Sequence, residues 1–398
     1  MRMRERLKTG WCVRLALAMA LLLGGCAPST PRVRAADWPK PVAKSWCLGP
    51  FVKQDSPILE PRADSVFYCP VRQEAVRWEQ KDVFNPSAVV RDGGIWLIYR
   101  AEDKVGRFNG TSRLGLANSP DGLAFSRERQ PVLYPTNDCM RNYEWEGGVE
   151  DPRVVEDDDG TYWMTYTAFD GCNVELMVAS SRDLHTWVKH GPVHKRYAEE
   201  GNLYVKSKAG AIVCRQREDR HIAAKIKGRY WMYWFNDEDR RDDLRRHMCC
   251  STSLDLKNWR PVLDPNGTMK PVLKPRKGMF DSRLTEPGPH ALLTRQGIVL
   301  IYNGMNLPEG HEDRDRSLPG NTYSAGQALF ACDDPTRLAD RMEYPFLTPD
   351  RPYEIRGQVD RVCFVTGLVR FNRRYFVYYG TADSKIAVAV WETTDSYE

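Results

Sequence analysis

The sequence has no apolar run long enough to stay in a bilayer as a permanent helix. The one at residues 15–23 is too short for that. Histidine is scarce, at seven residues, and no Cys/His spacing matches a zinc pattern; the only adjacent pair, Cys249-Cys250, has no histidines at ligand spacing. No structural metal is therefore expected. Excess charge is also missing. Much of the formal net charge of +5 comes from Arg2, Arg4, Arg6, Lys8 and Arg14 set against Glu5, and the remainder is close to neutral. A polycationic nucleic-acid surface is excluded on this ground. The basic cluster Arg240-Arg241…Arg245-Arg246 is interleaved with acids and reads as a solvated loop.

A basic start, a short apolar run and then Leu23-Gly24-Gly25-Cys26 form a secretory signal ending in a lipobox. Residues 1–25 are expected to be removed and Cys26 lipidated, giving an exported, membrane-anchored lipoprotein on the periplasmic or cell-surface side of an outer membrane. Residues 26–77 read as a tether followed by a packing segment. Export permits disulfides among the nine other mature cysteines, with Cys47–Cys69 and Cys139–Cys172 as expected pairs and at least one thiol left over.

From Trp78 onward the chain repeats itself. Strands ending at Tyr99, Tyr166, Tyr233, Tyr302 and Tyr379 recur at spacings of 67, 67, 69 and 77 residues. Small-residue strands follow at 112–117, 174–179 and 386–390. Three units share a turn: Ser119-Pro120-Asp121, Ser181-Arg182-Asp183 and Ser253-Leu254-Asp255. Runs rich in Val, Ile, Tyr and Trp, bounded by Gly and Asp and repeated at this period, predict an all-β, five-bladed β-propeller over residues 78–398. The insertions at 237–246 and 308–318 read as solvated loops.

In a propeller the first strand of every unit lines one axis. The openings Phe84-Asn85-Pro86, Glu150-Asp151-Pro152-Arg153, Lys208-Ala209-Gly210 and Glu286-Pro287-Gly288 would then converge, gathering Asn85, Asp151, Lys208 and Glu286. Two carboxylates facing each other across a polar pocket suit glycosidic bond cleavage, one protonating the leaving oxygen and the other activating water. The alternative, that Glu150, Asp151 and Arg153 form a structural ion pair, stays open.

The motifs Phe84-Asn85-Pro86, Tyr99-Arg100-Ala101-Glu102-Asp103, Gly147-Gly148-Val149-Glu150-Asp151-Pro152-Arg153, Phe280-Asp281-Ser282…Glu286-Pro287-Gly288-Pro289 and Tyr379-Gly380-Thr381-Ala382-Asp383 resemble those of glycoside hydrolase family 130. The resemblance implies a propeller that hydrolyses or phosphorolyses β-mannosides with inversion. It implies Asp151 as general acid, and Asn85, Arg100 and Asp383 as contacts to the sugar or a neighbouring anion. Arg100 could instead pair with Glu102 or Asp103. Glu150, Arg153, Lys208 and Asn303 join the expected substrate-binding set. Asn303 stands where phosphorylases of the family carry a histidine, which favours hydrolysis with Glu286 as base and Asp237 or Glu238 in reserve. No cofactor is expected, with inorganic phosphate entering only for a phosphorylase, whose site Lys206, Lys208 and Lys225 would have to supply. The expected partner is a β-mannoside, β-1,2-linked by preference. A glycan-binding lipoprotein without turnover is the alternative of another class.

Overall fold

The computed structural model describes residues 44–202, 204–237 and 244–393. The proposed signal, Cys26 and Glu238 lie outside these. The described chain is almost entirely β-strand, with only three short helices, Arg141–Glu144, Lys195–Glu199 and Pro352–Ile355.

The five-fold repeat emerges as five successive antiparallel groups. The first contains Asp82–Arg91, Gly94–Glu102, Ser112–Ser119 and Ser126–Arg127. The second contains Gly148–Glu156, Tyr162–Phe169, Val174–Ser181 and Val188–Pro192. In the third, Ser207–Arg217 leads Arg229–Asn236, Met248–Ser253 and Trp259–Pro261. The fourth has an interrupted leader, Leu284–Pro287 and then Ala291–Thr294, before Gly297–Met305, Tyr323–Ala331 and Asp334–Arg341. The fifth contains Cys363–Phe371, Arg374–Thr381 and Lys385–Glu392, and its fourth strand is Val52–Lys53, from the other end of the described chain. The segment before Trp78 is thus hydrogen-bonded into the last group, and Leu48 is held to Gln327 by a reciprocal pair of bonds at 2.9 and 2.8 Å.

The marker tyrosines recur for a chemical reason as well as an apolar one. Tyr166, Tyr302 and Tyr379 donate to the carboxylates of Glu144, Asp281 and Glu354 at 2.9, 2.8 and 2.9 Å, and Tyr99 donates to Glu79 at 2.5 Å. Each carboxylate is also matched to a cation: Lys189 for Glu144, Arg341 and Arg276 for Asp281, Lys53 for Glu354, Arg62 for Glu79. Such buried carboxylates need both partners, because an unpaired charge in the core would cost several kcal/mol, on the order of 3–5. Tyr233 departs from the pattern and donates to the Pro335 carbonyl. The Ser-x-Asp turns also repeat: Asp121, Asp183 and Asp255 each accept two backbone N–H groups just downstream.

Two expectations are corrected. All nine described cysteines carry free thiols; Cys69 is buried in an apolar cluster, whereas Cys139 and Cys172 are exposed. The second insertion is anchored rather than simply solvated. Buried Asn306 binds the Asp315 amide and the carbonyls of Asp315, Leu318 and Pro319, and Arg245 from the first insertion pairs with Asp313.

Candidate functional site

The leading strands carry a shared irregularity at their starts. Register slips between Phe84 and Ser87, between Glu150 and Arg153, between Lys208 and Ala211, and between Val365 and Gly367. Asn85, Asp151 and Ala209 occupy these bulges with φ of 47°, 48° and 54°. Asn and Asp tolerate this left-handed conformation better than other side-chain-bearing residues. A bulge re-aims the side chains on either side of it, so one irregularity presents Asn85 and Asp151 together. The Asn85 amide donates to Asp151 Oδ1 at 3.0 Å. Gly380 is required beside it, since a Cβ there would lie 2.1 Å from Asn85 Oδ1.

Arg100 organises the acidic side. Its guanidinium contacts Glu102 at 2.6 Å, Glu150 at 2.8 Å and Asp151 at 3.4 Å, binds Ser112 Oγ at 3.0 Å and lies over the Phe84 ring. It therefore pairs with Glu102 and also reaches the site carboxylates; Asp103 is taken by Arg113 instead. On the other side, Lys208 Nζ stands 3.3 Å from Glu286 Oε1 and over the Phe235 ring. Lys208 also acts electrostatically on Asp151, Glu150 and Asp383, and Asp151 acts on Glu286. The acids of the second and fourth groups thus belong to one electrostatic cluster. Asp383 joins it from a tight left-handed turn, with φ of 47° at Ala382 and 50° at Asp383.

Burial raises the Glu150 carboxyl to about 7 against the opposing pull of Arg100, with Asp151 adding to the rise. Asp383 rises to about 7 for the same first reason. Burial also raises Glu286, with Lys208 and Arg153 resisting. Asp151 goes the other way: burial opposes its ionisation, but Arg100, Arg153 and the Asn85 amide hold it below the usual carboxylate range. Glu150 and Asp151 share Arg100, so the proton the pair keeps near neutrality belongs to both. An acid supplied by this pair is lost as pH rises through about 7. A base at Glu286 is lost as pH falls below its raised value. Turnover is expected to follow a bell, measured as kcat/KM against pH, whose alkaline limb falls through about pH 7 and whose acid limb lies above the ordinary carboxylate range; a profile with no alkaline limb there contradicts the assignment.

Two residues expected to touch substrate are committed elsewhere. Arg153 is buried and donates to the carbonyls of Gly288 (2.6 Å), Pro287 (2.8 Å) and Asp151 (3.0 Å). Asn303 is 0% exposed and clamps Val365 through its N–H and its carbonyl. Both satisfy backbone groups that the strand irregularities leave unpaired. Lys225 lies over Tyr230, at the end of its strand opposite Phe235 and Lys208. Asp237 borders the site through its effect on Lys208 and is fixed by its own N–H to Lys206.

Sequence reading missed Tyr323 as a site residue. Its phenol feels the charges of Glu286, Lys208 and Asp383, and its ring is edge-on to Phe364. It opens the third strand of the fourth group, where no repeat marker points to it. Asn85 Oδ1 has no protein partner among the described residues, and Glu286 Oε1 has only the lysine ion pair. These are acceptors of the kind that sugar hydroxyls or an attacking water would use. The described surface hollows are lined by other residues.

An all-β scaffold that gathers carboxylates with separated proton affinities around two cations defines an acid–base enzyme. The sequence profile described as beta-1,4-mannooligosaccharide phosphorylase matches residues 54–396. A 1,2-beta-oligomannan phosphorylase from a Thermoanaerobacter species is 30% identical, covering 86% of this chain and 96% of its own length. One solved structure comes from work on glycoside hydrolases within the family 130 mannoside phosphorylases that target β-1,2 mannosidic linkages in Candida mannan. It is 40% identical, with a TM-score of 0.84 over 90% of this chain and 98% of that one. A glycosyl hydrolase from Bacteroides ovatus is 41% identical, with a TM-score of 0.81 over 89% and 96% of the two chains. This chain belongs to glycoside hydrolase family 130, and it is a β-mannoside-acting enzyme of that phosphorylase and hydrolase family.

Proposed function

We propose that the chain is an inverting hydrolase of β-mannosides, with β-1,2-linked manno-oligosaccharides as its substrates. The observation that carries this is that, among the described residues, the two cations paired with the acidic cluster, Arg100 and Lys208, are already matched to carboxylates. Arg100 holds Glu102, Glu150 and Asp151, and Lys208 holds Glu286. Phosphorolysis requires cations free to hold a phosphate dianion where water would otherwise attack. Here a dianion would meet Glu286 first, whereas a water there meets a base. The solved relative at 40% identity, described as targeting β-1,2 linkages, supports the same reading.

In this reading the proton held by the Glu150–Asp151 pair passes through Asp151 to the glycosidic oxygen as the C–O bond breaks. Glu286 takes a proton from the water that attacks the opposite face of the anomeric carbon. The products are α-mannose and the shortened saccharide. Asn85 and Asp383 orient the ring hydroxyls, Arg100 fixes the acid pair, and Tyr323 positions Glu286. The five groups form a five-bladed propeller. Packing of the first group's leading strand against those of the second and fifth, and of the second's against the third's, supports this. The lipobox supports export and anchoring through Cys26; the mass of the mature N-terminus tests it.

The test is incubation of the full chain with β-1,2-mannobiose, with and without inorganic phosphate. Free mannose in both arms is expected. Mannose 1-phosphate appearing only with phosphate would make the chain a phosphorylase, as the 30%-identical relative is named. Binding without product would leave a glycan-binding protein.

A further inference from the structure

Glu175 is a buried acid outside the cluster just described. It is 3% exposed, and among the described residues its Oε2 has no hydrogen-bond partner and no cation stands against it. Burial alone raises its carboxyl to about 8, so it is a neutral donor and acceptor at physiological pH. A buried acid left without a partner needs a physical reason. The reason offered by the fold is a hollow of about 310 Å³ that Glu175 lines together with Asn142, Tyr143, Asp170, Asn173 and Tyr204.

The lining has the chemistry of a neutral polyol site. Tyr204 is 58% exposed, an uncovered ring at the rim. Asn142 and Asn173 bring carboxamides, and Glu175 brings an unspent carboxyl. No Lys or Arg is among the described residues that line the hollow, which argues against an anionic ligand. Asp170 spends Oδ1 on the N–H groups of Cys172 and Asn173. No group of three His, Cys, Asp or Glu among the described residues is placed to hold a metal ion. The hollow sits at the catalytic end of the second group, because Glu150 pairs with Thr167 on the strand that runs on into Asp170. Three residues along a strand is roughly 10 Å, about the length of one or two sugar rings.

We propose that this hollow is a distal saccharide subsite, taking a hexose of a longer manno-oligosaccharide whose scissile bond lies at the Asp151–Glu286 cluster. The inference rests on the mannoside-cleaving reading of that cluster. The test uses the full chain with Glu175→Gln and Tyr204→Ala, comparing β-1,2-mannobiose with β-1,2-mannotetraose. KM for the tetrasaccharide is expected to rise at least about fivefold in each variant, with kcat/KM for the disaccharide unchanged and melting curves matching the parent chain. Equal losses on both substrates, or no loss on either, would overturn the inference. Failure of the parent chain to cleave either saccharide would sink the mannosidase reading alone. Titration of mannotetraose into the Asp151→Asn chain, with and without Glu175→Gln, then still decides the hollow. Weaker binding with Glu175→Gln supports it; no binding, unchanged binding, or binding that requires added calcium overturns it.

Discussion

Replacing Asp151 by Asn is expected to lower kcat by about 10²–10⁴-fold, the usual worth of a positioned acid, while the melting temperature stays close to that of the parent chain. The fold depends little on this carboxylate. Its backbone carbonyl still receives Arg153, and Arg100 keeps Glu102 and Glu150. What is lost is one half of the acid pair and the charge on the acceptor of the Asn85 amide. Asn85 can rotate, and the replaced side chain still offers an amide oxygen, so the ground-state structure has a ready substitute. KM should therefore change much less than kcat. Steady-state kinetics beside a thermal melt check this. A protein that loses its fold with the same substitution would show that the carboxylate is a structural member instead.

Arg153→Met is expected to do the opposite. The buried guanidinium spans from the second group to the irregular start of the fourth, where it holds the Pro287 and Gly288 carbonyls directly after Glu286. Removing it strands three buried carbonyls, at a cost of about 3–5 kcal/mol. Activity falls in parallel, because the segment carrying the proposed base loses its support. The urea midpoint should drop sharply; an unchanged midpoint with a raised KM would return Arg153 to the substrate.

Those two residues, adjacent but for Pro152, show where sequence was sufficient and where it was not. The repeat was legible because each unit needs the same core Tyr and the same turn, and these are chemical demands visible in one dimension. The positions of these charged residues were legible because the repeat aligned them: Glu150 and Lys208 precede the register slip of their units, Asp151 lies within one, and Glu286 precedes the break in its unit's leading strand. The role of Arg153 was not, because a charged side chain beside a catalytic motif reads as a ligand contact until the carbonyls orphaned by an interrupted strand are located. Asn303 was misjudged for the same reason. Its clamp on Val365 is a contact between two units, and no local pattern announces it. Tyr323 escaped because the strand it opens lacks the markers of its counterparts. The third strand of the third group, Met248–Ser253, was equally silent, with Met, Cys or Ser at every position but Thr252. The cysteine pairs were read from compartment and spacing, yet Cys69 is packed into an apolar cluster, a place in the fold that spacing could not reveal.

The central claim is that the acid pair and Glu286 flank one bond from opposite faces. Its most direct test is proton NMR of the first product formed from a β-1,2-mannoside by the full chain, before mutarotation, in phosphate buffer. α-Mannose is the predicted signal. β-Mannose, or α-mannose 1-phosphate in its place, would contradict the account.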